Sequence, residues 1–453
     1  MKNDPVSARA EPFPAAPLRR AADVWDHVLI AAIFAGMIVM VYAAFATPLL
    51  QPLVDLARKQ HWTTLWIRPT VIWITMGFVL MLLRTVLWLL YRPFAAARAE
   101  DAPMLTVIIP AYNEGEMVES SIASVAAAEY PKGRLEVIAV DDGSKDDTWR
   151  HIRRAALRFP GIVSAVRLPE NRGKRGALAE GFRRAQGEII VTIDSDSVIE
   201  RGTLLAAAGP FRDPRVGAVA GKVAVHNRRH SLIPRMLHVR FILSFDFLRS
   251  AQSVFRTVFC CPGALAAYRT SVVREVIEKW ERQTFFGVPC TYGEDRALTN
   301  FILEAGYDTV YQRTAVVHTV VPHTYVKLCK MFLRWDRSYI REEFRFARIV
   351  WKRPPFPRSV ALYESIITNL RFPVAYVSIA LWIATAISDP RALLRMLLAI
   401  MVVSTLYMLY YLRSERSWDF VFGILYAYFS FFALTWIFPY AALTVRARGW
   451  LTR

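Results

Sequence analysis

The sequence predicts an α/β domain built on a mostly parallel sheet and inserted between transmembrane helices, with amphipathic helices at the membrane surface. Three observations lead there. Apolar runs of about 20 residues, enough to cross a hydrocarbon core of about 30 Å, lie near both ends of the 453-residue chain. Between them, short β-rich segments alternate with stretches of helical spacing, the pattern of βαβ units. Hydrophobic residues make up 54% of the chain, which fits membrane helices plus one large domain better than a soluble protein.

Residues 1–26 hold four prolines and scattered charge without an apolar period, so they read as a flexible cytosolic tail. Two spans follow within residues 27–92, at 27–50 and 69–91. The first is too long for a signal-peptide h-region and has no convincing cleavage site, so it is read as retained. Arg84 falls inside the second. Its side chain either snorkels toward the end near Arg92 or lines a polar path.

Residues 103–325 form the α/β domain. MLTVIIPAYN, LEVIAVDDGS, VSAVRLPEN and GEIIVTIDSDS each run from a strand into polar residues, and MVESSIASVAAAEY, DTWRHIRRAALRF and KRGALAEGFRRAQ show helical spacing between them. Ligands of such sheets bind at the carboxyl ends of the strands, where VDDGS and IDSDS sit. Aromatic and arginine-rich stretches at 231–256 and 325–351 are expected to lie on the membrane surface, the latter within interface helices spanning 326–370. Residues 371–453 supply about three further segments, at 372–388, 396–412 and 420–438, the first two near the lower limit of length. Three full crossings would put the basic end TVRARGWLTR outside, against the positive-inside bias. The last segment is therefore expected to kink at Pro439 or to re-enter.

The 57 Lys and Arg against 38 Asp and Glu give +19. That charge suits anionic lipid or an anionic nucleotide, and no nucleic-acid-binding motif accompanies it. Cys260, Cys261, Cys290 and Cys329 match no zinc spacing and no disulfide framework.

The chemistry concentrates in six motifs. IDSDS sets Asp194 and Asp196 two apart at a strand end, where alternation directs both to one side. Together they can hold a divalent cation, Mg²⁺ or Mn²⁺, against pyrophosphate oxygens. TYGEDR offers Glu294 and Asp295. A hydroxyl nucleophile needs a carboxylate to take its proton, the role given to Asp295, while acids also stabilise the first turn of the helix that follows. In VDDGS, Asp141 and Asp142 can accept a uracil imide hydrogen, or simply form an Asx turn, and Tyr112 of PAYNE can stack on the base. NRGKRGA presents Lys174 and Arg175 to a diphosphate. LRWDRS sets Arg334 beside Trp335, a guanidinium for pyrophosphate and an indole for a sugar ring or for the membrane interface.

In this order, PAYNE, VDDGS, GKR, DSDS, GEDR and RW resemble the processive family 2 glycosyltransferases, which include hyaluronan, chitin and cellulose synthases. GEDRALTN, CCPGALAAYR, RWDRSYIRE and the terminal GWLTR are most similar to the hyaluronan synthases and the rhizobial chitooligosaccharide synthases. The resemblance is firm over 105–351. It implies a GT-A type, Rossmann-like nucleotide-sugar domain, and a processive inverting enzyme of the inner membrane with a cytosolic catalytic domain. UDP-GlcNAc, alternating with UDP-GlcA in the hyaluronan case, would extend and export a β-linked polysaccharide. The rivals are a chitooligosaccharide synthase, a transferase of one sugar to a polyprenyl phosphate, and a non-enzymatic transporter or scaffold. By resemblance Asp194 and Asp196 hold metal and UDP, and Asp295, with Glu294 beside it, is catalytic. Tyr112, Glu114, Asp141, Asp142, Lys174, Arg175 and Arg334 contact the nucleotide sugar, and Cys260, Cys261, Trp335 and Ser338 the acceptor. The expected partners are UDP-sugar donors, the growing polysaccharide and membrane lipid, with no nucleic acid, for a monomer. One position departs: Met331 stands where the family has Gln, and a thioether lacks the amide's paired donor and acceptor.

Overall fold

The computed structural model describes residues 28, 31, 32, 35–42 and 69–447. The expected tail, most of the first span and the terminal GWLTR lie outside the described residues.

The central sheet has eight strands: β1 (Leu105–Ala111), β2 (Leu135–Asp141), β3 (Val163–Arg167), β4 (Ile189–Ile193), β5 (Ser197–Ile199), β6 (Val216–Val225), β7 (Leu265–Arg269) and β10 (Asp308–Thr319). The two-residue strands β8 (Thr284–Phe285) and β9 (Val288–Pro289) form a separate hairpin. The order is β3-β2-β1-β4-β7-β6-β10-β5. From β3 to β4 every pairing is parallel, as the alternation of strands and helices requires. Beyond β4 the sheet is mixed, because β7 runs antiparallel to both β4 and β6.

Both faces of the sheet are apolar, as a sheet covered by helices on each side demands. Val107, Ile109, Val137 and Val191 pack toward the helices Met117–Ala126 and Thr148–Arg158. Ile108, Ile138 and Ile190 face the other way, against Ala177, Leu178 and Phe182 of the helix Gly173–Arg184.

Two features of register aim the loops. Ala111 of β1 pairs with Asp141 of β2, so PAYNE and VDDGS leave the sheet side by side. Ile193 of β4 pairs with Leu265 of β7. An antiparallel partner begins where its neighbour ends, so the segment 260–264 enters the sheet beside Asp194.

Three helices are long and apolar enough to cross a membrane, Ile72–Leu90, Pro355–Ser388 and Arg391–Glu415, among the described residues. A fourth crossing would use the pair Phe420–Leu434 and Ile437–Leu443, which is bent by 46°. The bend precedes Pro439: a proline ring displaces the carbonyl four residues back, here that of Thr435, which lies in the break. Two of the helices exceed the apolar windows read from sequence. Pro355–Ser388 has 34 residues and crosses the expected boundary at 370, and Arg391–Glu415 has 25. Charged residues such as Arg371 and Arg413 end an apolar window without ending a helix. Lipid-facing side chains are plain on the former, where Leu381 and Ile387 are exposed.

Arg84 does not reach for the interface. It forms an ion pair of 3.0 Å with Glu364 and a 3.2 Å hydrogen bond to Thr368, joining two spans, and Gln252 donates to the same Glu364 oxygen at 2.9 Å. Removing one partner of a buried pair strands the other charge, at about 3 kcal/mol or more. Glu364→Ala should therefore lower the unfolding temperature markedly in a detergent-based thermal shift, whereas Arg84→Met combined with Glu364→Leu should recover most of it. Equal melting of the single variant and the parent would disprove that role.

Candidate active site

Asp194 and Asp196 follow β4 in a turn closed by the Ser197 amide donating to the Asp194 carbonyl at 3.1 Å. The turn, rather than strand alternation, brings both carboxylates to the same cleft. Lys174, from the first turn of the helix Gly173–Arg184, donates to Asp194 and lies 3.1 Å from Glu294. Burial works against its charge, but Asp194 and Glu294 hold its pKa well above the usual lysine value. Asp196 accepts from Ser197 at 3.2 Å and Thr319 at 3.3 Å. Its carboxyl is pushed up to about 7, first by burial and then by Asp194 and Glu114, with Lys174 offsetting only part. A pair of hard oxygen donors crowded in this way suits a divalent cation, which would relieve the repulsion.

Glu294 and Asp295 open the helix Glu294–Glu304 directly after Gly293. Gly293 has φ +74°, and a Cβ there would collide with Ser338 of the helix Tyr325–Ile349, so the close approach of the two helices requires glycine. The Asp295 carboxylate accepts from its neighbour's amide, Arg296, at 2.7 Å and from the Gly263 amide at 3.2 Å, with the Cys260 thiol 3.8 Å away. Gly263 also sits against the other acid: a Cβ there would stand 2.7 Å from Lys174 Nζ and 3.5 Å from an Asp194 oxygen. One short loop thus touches both groups.

The two neighbouring carboxyls are driven apart. Burial is the largest effect on Glu294 and would raise it, yet Lys174, the residue's own backbone amide and Arg334 together outweigh it and hold Glu294 below the usual glutamate value. Burial raises Asp295, the Glu294 charge raises it further, and Lys174 with the two amides opposes only in part. Adjacent acids with separated pKa values can serve different tasks, one as a fixed counter-ion and the other as a proton acceptor.

Two cavities meet at this cluster. One, of about 610 Å³, is lined by Tyr112, Glu114, Asp142, Asn171, His323 and Lys327. The other, of about 410 Å³, runs past Cys260, Asp295, Trp335 and Ser338 to Phe372 on the span Pro355–Ser388. Lys174, Asp194, Asp196, Met331 and Arg334 line both. Trp335 is held by an edge contact with Phe332, 5.6 Å between centroids, and by Phe241 at 6.2 Å.

Three expected residues lie elsewhere. The Cys261 side chain is fully buried, its amide donates to Thr299 at 3.0 Å, and it does not line the cavity that Cys260 lines. Arg175 turns away from Lys174 on the helix. It is 4% exposed, stacked 5.0 Å over Trp280 and bonded to Gln283 at 3.1 Å, which makes it a brace. Asp141 is wholly buried behind Asp142, receiving the Ser144 amide at 3.0 Å and lying 3.2 Å from Arg167. Asp142 does line the larger cavity; burial pushes its carboxyl up to about 6, although the Arg172 and Gly173 amides pull it down.

The sequence reading missed Lys327 and His323. Lys327 was within reach of helical periodicity, since 327, 331, 334 and 338 recur on one face. Gly263 had no such signal: its role depends on the β4–β7 pairing.

Comparisons with known proteins agree with this geometry. Residues 106–277 match the family model "Glycosyl transferase family 2". An N-acetylglucosaminyltransferase of Azorhizobium caulinodans is 31% identical over 352 residues, 78% of this chain and 87% of the relative. A hyaluronan synthase of Streptococcus pyogenes is 32% identical over 371 residues, 80% of this chain and 86% of the relative. Among solved structures, a mannosyltransferase from Pyrobaculum calidifontis in complex with GDP-Man and Mn²⁺ superposes with a TM-score of 0.57 at 25% identity, covering 80% of this chain and 98% of that one. With a GT-A sheet, helices able to cross a membrane and relatives matched over most of their length, the chain belongs to glycosyl transferase family 2, as a nucleotide-sugar-dependent hexosyltransferase.

Proposed function

We propose that this enzyme is a processive, inverting synthase of the inner membrane. It extends a β-linked polysaccharide from UDP-GlcNAc, with UDP-GlcA as the second donor, on the cytosolic side and passes the product into the membrane. The observation that carries the reading is the junction of two cavities at Lys174, Asp194 and Asp196, with Asp295 on the side that leads to Trp335 and the spans. A relative named hyaluronan synthase supports two donors; relatives named N-acetylglucosaminyltransferase support one.

In the proposed reaction the nucleotide occupies the larger cavity, with Tyr112 beside the base and Asp142 as an acceptor toward it. Lys174 and Arg334 present positive charge to the diphosphate. Asp194 and Asp196 would hold a divalent cation, which would neutralise charge on the leaving nucleotide, and a mannosyltransferase of similar fold was solved in complex with GDP-Man and Mn²⁺. Asp295 takes the proton from the acceptor hydroxyl as that oxygen attacks the anomeric carbon opposite the leaving group. One displacement inverts the configuration and needs a single base. Trp335 offers a flat face to the acceptor sugar.

Supplying purified protein in lipid with UDP-GlcNAc, alone and with UDP-GlcA, and weighing the product tests the reading. A long alternating polymer is expected only with both donors, and a GlcNAc homo-oligomer from one donor would select the rival synthase. No sugar transfer from any UDP donor would reject both. Asp295→Asn should cut transfer by roughly 10²- to 10⁴-fold while leaving UDP binding, measured by calorimetry, nearly unchanged. The pH profile has a definite sign. Asp295 works as a carboxylate and its pKa is raised, so kcat/KM should fall as pH drops, with the midpoint above the ordinary aspartate value of about 3.9. A profile flat down to that value would remove Asp295 from the role.

A further inference from the structure

A separate cavity of about 280 Å³ lies where two spans end, and it shares no lining residue with the two cavities of the active site. Four cations converge on it from four parts of the chain: Arg92 just past the span Ile72–Leu90, Arg413 near the end of Arg391–Glu415, Lys222 from β6 and Arg313 from β10. The acid in its wall is Asp246, already engaged by Arg313 at 2.7 Å, Tyr311 at 3.2 Å and Ser414 at 3.2 Å. Lys222 lies 3.2 Å from Glu415. Counting that acid too, positive charge is in excess.

Basic residues at span ends are ordinary interface anchors. Here two of the four come from the sheet of the catalytic domain, and all four border one open recess. The flanks below it are apolar: Val86, Leu89 and Leu90 on one span and Leu406 and Leu409 on the other are exposed, and Leu89 itself lines the cavity. A cationic recess above two apolar flanks matches an amphiphile with an anionic head.

We propose that this cavity binds the phosphate of an anionic glycerophospholipid from the leaflet on the catalytic-domain side, with its acyl chains along the exposed flanks. The site is coupled to the cleft. Asp246 belongs to the π-helical segment Ile242–Phe247, and Ser244 and Phe245 of that segment line the acceptor cavity. A bound headgroup adds an acceptor for Arg313 and so steadies the segment through Asp246.

The test uses the full-length protein in nanodiscs of phosphatidylcholine, with and without phosphatidylglycerol, beside the double variant Arg92→Gln/Arg413→Gln. Native mass spectrometry should find phosphatidylglycerol retained by the parent and held roughly thirtyfold more weakly by the variant. UDP release should be equal for both in phosphatidylcholine and rise with phosphatidylglycerol in the parent only. Equal retention by both proteins, or the same gain in both, would overturn the proposal. So would the same gain from free inorganic phosphate in phosphatidylcholine, which would mark a soluble-anion site. Retention is measured without donor, so its outcome is independent of the sugar transferred.

Discussion

The site depends on one half-buried cation, Lys174. Asp194, Asp196, Glu294 and Asp295 all line a single cleft, and four carboxylates in a low-dielectric space repel one another strongly. Lys174 reaches two of them, which ties the end of β4 to the start of the helix Glu294–Glu304. Its effect is unequal, and the inequality is useful. Glu294, in direct contact, stays ionised, whereas Asp295, which Lys174 does not touch, retains a raised pKa from burial and from Glu294 itself. A lone acid at that position would lack the second source of the shift.

The sheet supplies the precision. Parallel pairing from β3 to β4 leaves PAYNE, VDDGS and DSDS at one edge, where loops are free of ladder hydrogen bonds. The switch to antiparallel pairing at β7 then threads the Cys260–Gly263 segment between Asp194 and Asp295. Gly263 offers its amide to the second acid, and its missing side chain leaves room for Lys174 near the first. A purely parallel sheet would put the start of β7 at the opposite edge, away from both groups.

Much of this was legible in the sequence, for a physical reason: the strand ends carry both the turn chemistry and the reactive groups, so local motifs marked the cleft. Asp142, Lys174, Asp194, Asp196, Glu294, Asp295, Arg334 and Trp335 all reach it. What was not legible depends on direction within a motif. In GKR the helix carries Lys174 into the cleft and points Arg175 at Trp280, and in VDDGS the strand end buries Asp141 while exposing Asp142 to the cavity. Cys260 and Cys261 divide in the same way. A motif identifies a neighbourhood, while neighbouring residues face opposite sides, and only the packing partner decides which one is turned inward. The helices Pro355–Ser388 and Arg391–Glu415 run past the apolar windows for another reason: a charge such as Arg371 or Arg413 ends an apolar run in sequence without breaking the helix.

The acceptor cavity also differs in character along its length. At the reacting end its charges are mostly acids balanced by Lys174 and Arg334. Toward Phe372 the wall changes to Phe241, Phe245, Trp335 and Tyr339 with Arg240, Arg249 and Arg371, against Asp336. Arg240 lies 4.8 Å from the Phe332 ring centroid and 5.8 Å from that of Trp335, and Arg249 lies 4.0 Å from that of Phe245, so these guanidiniums are part of an aromatic wall. On the proposed reading, such a wall would stack on sugar faces and offer hydrogen-bond donors to their oxygens. Many moderate contacts suit a chain that must be held and yet advance, since a polymer gripped at one strong site would stall. Met331 fits the same logic: at the junction of the cavities it gives an adaptable apolar surface where an amide would fix one orientation, and in the proposed reaction the polar contacts to the donor there would fall to Lys174 and Arg334.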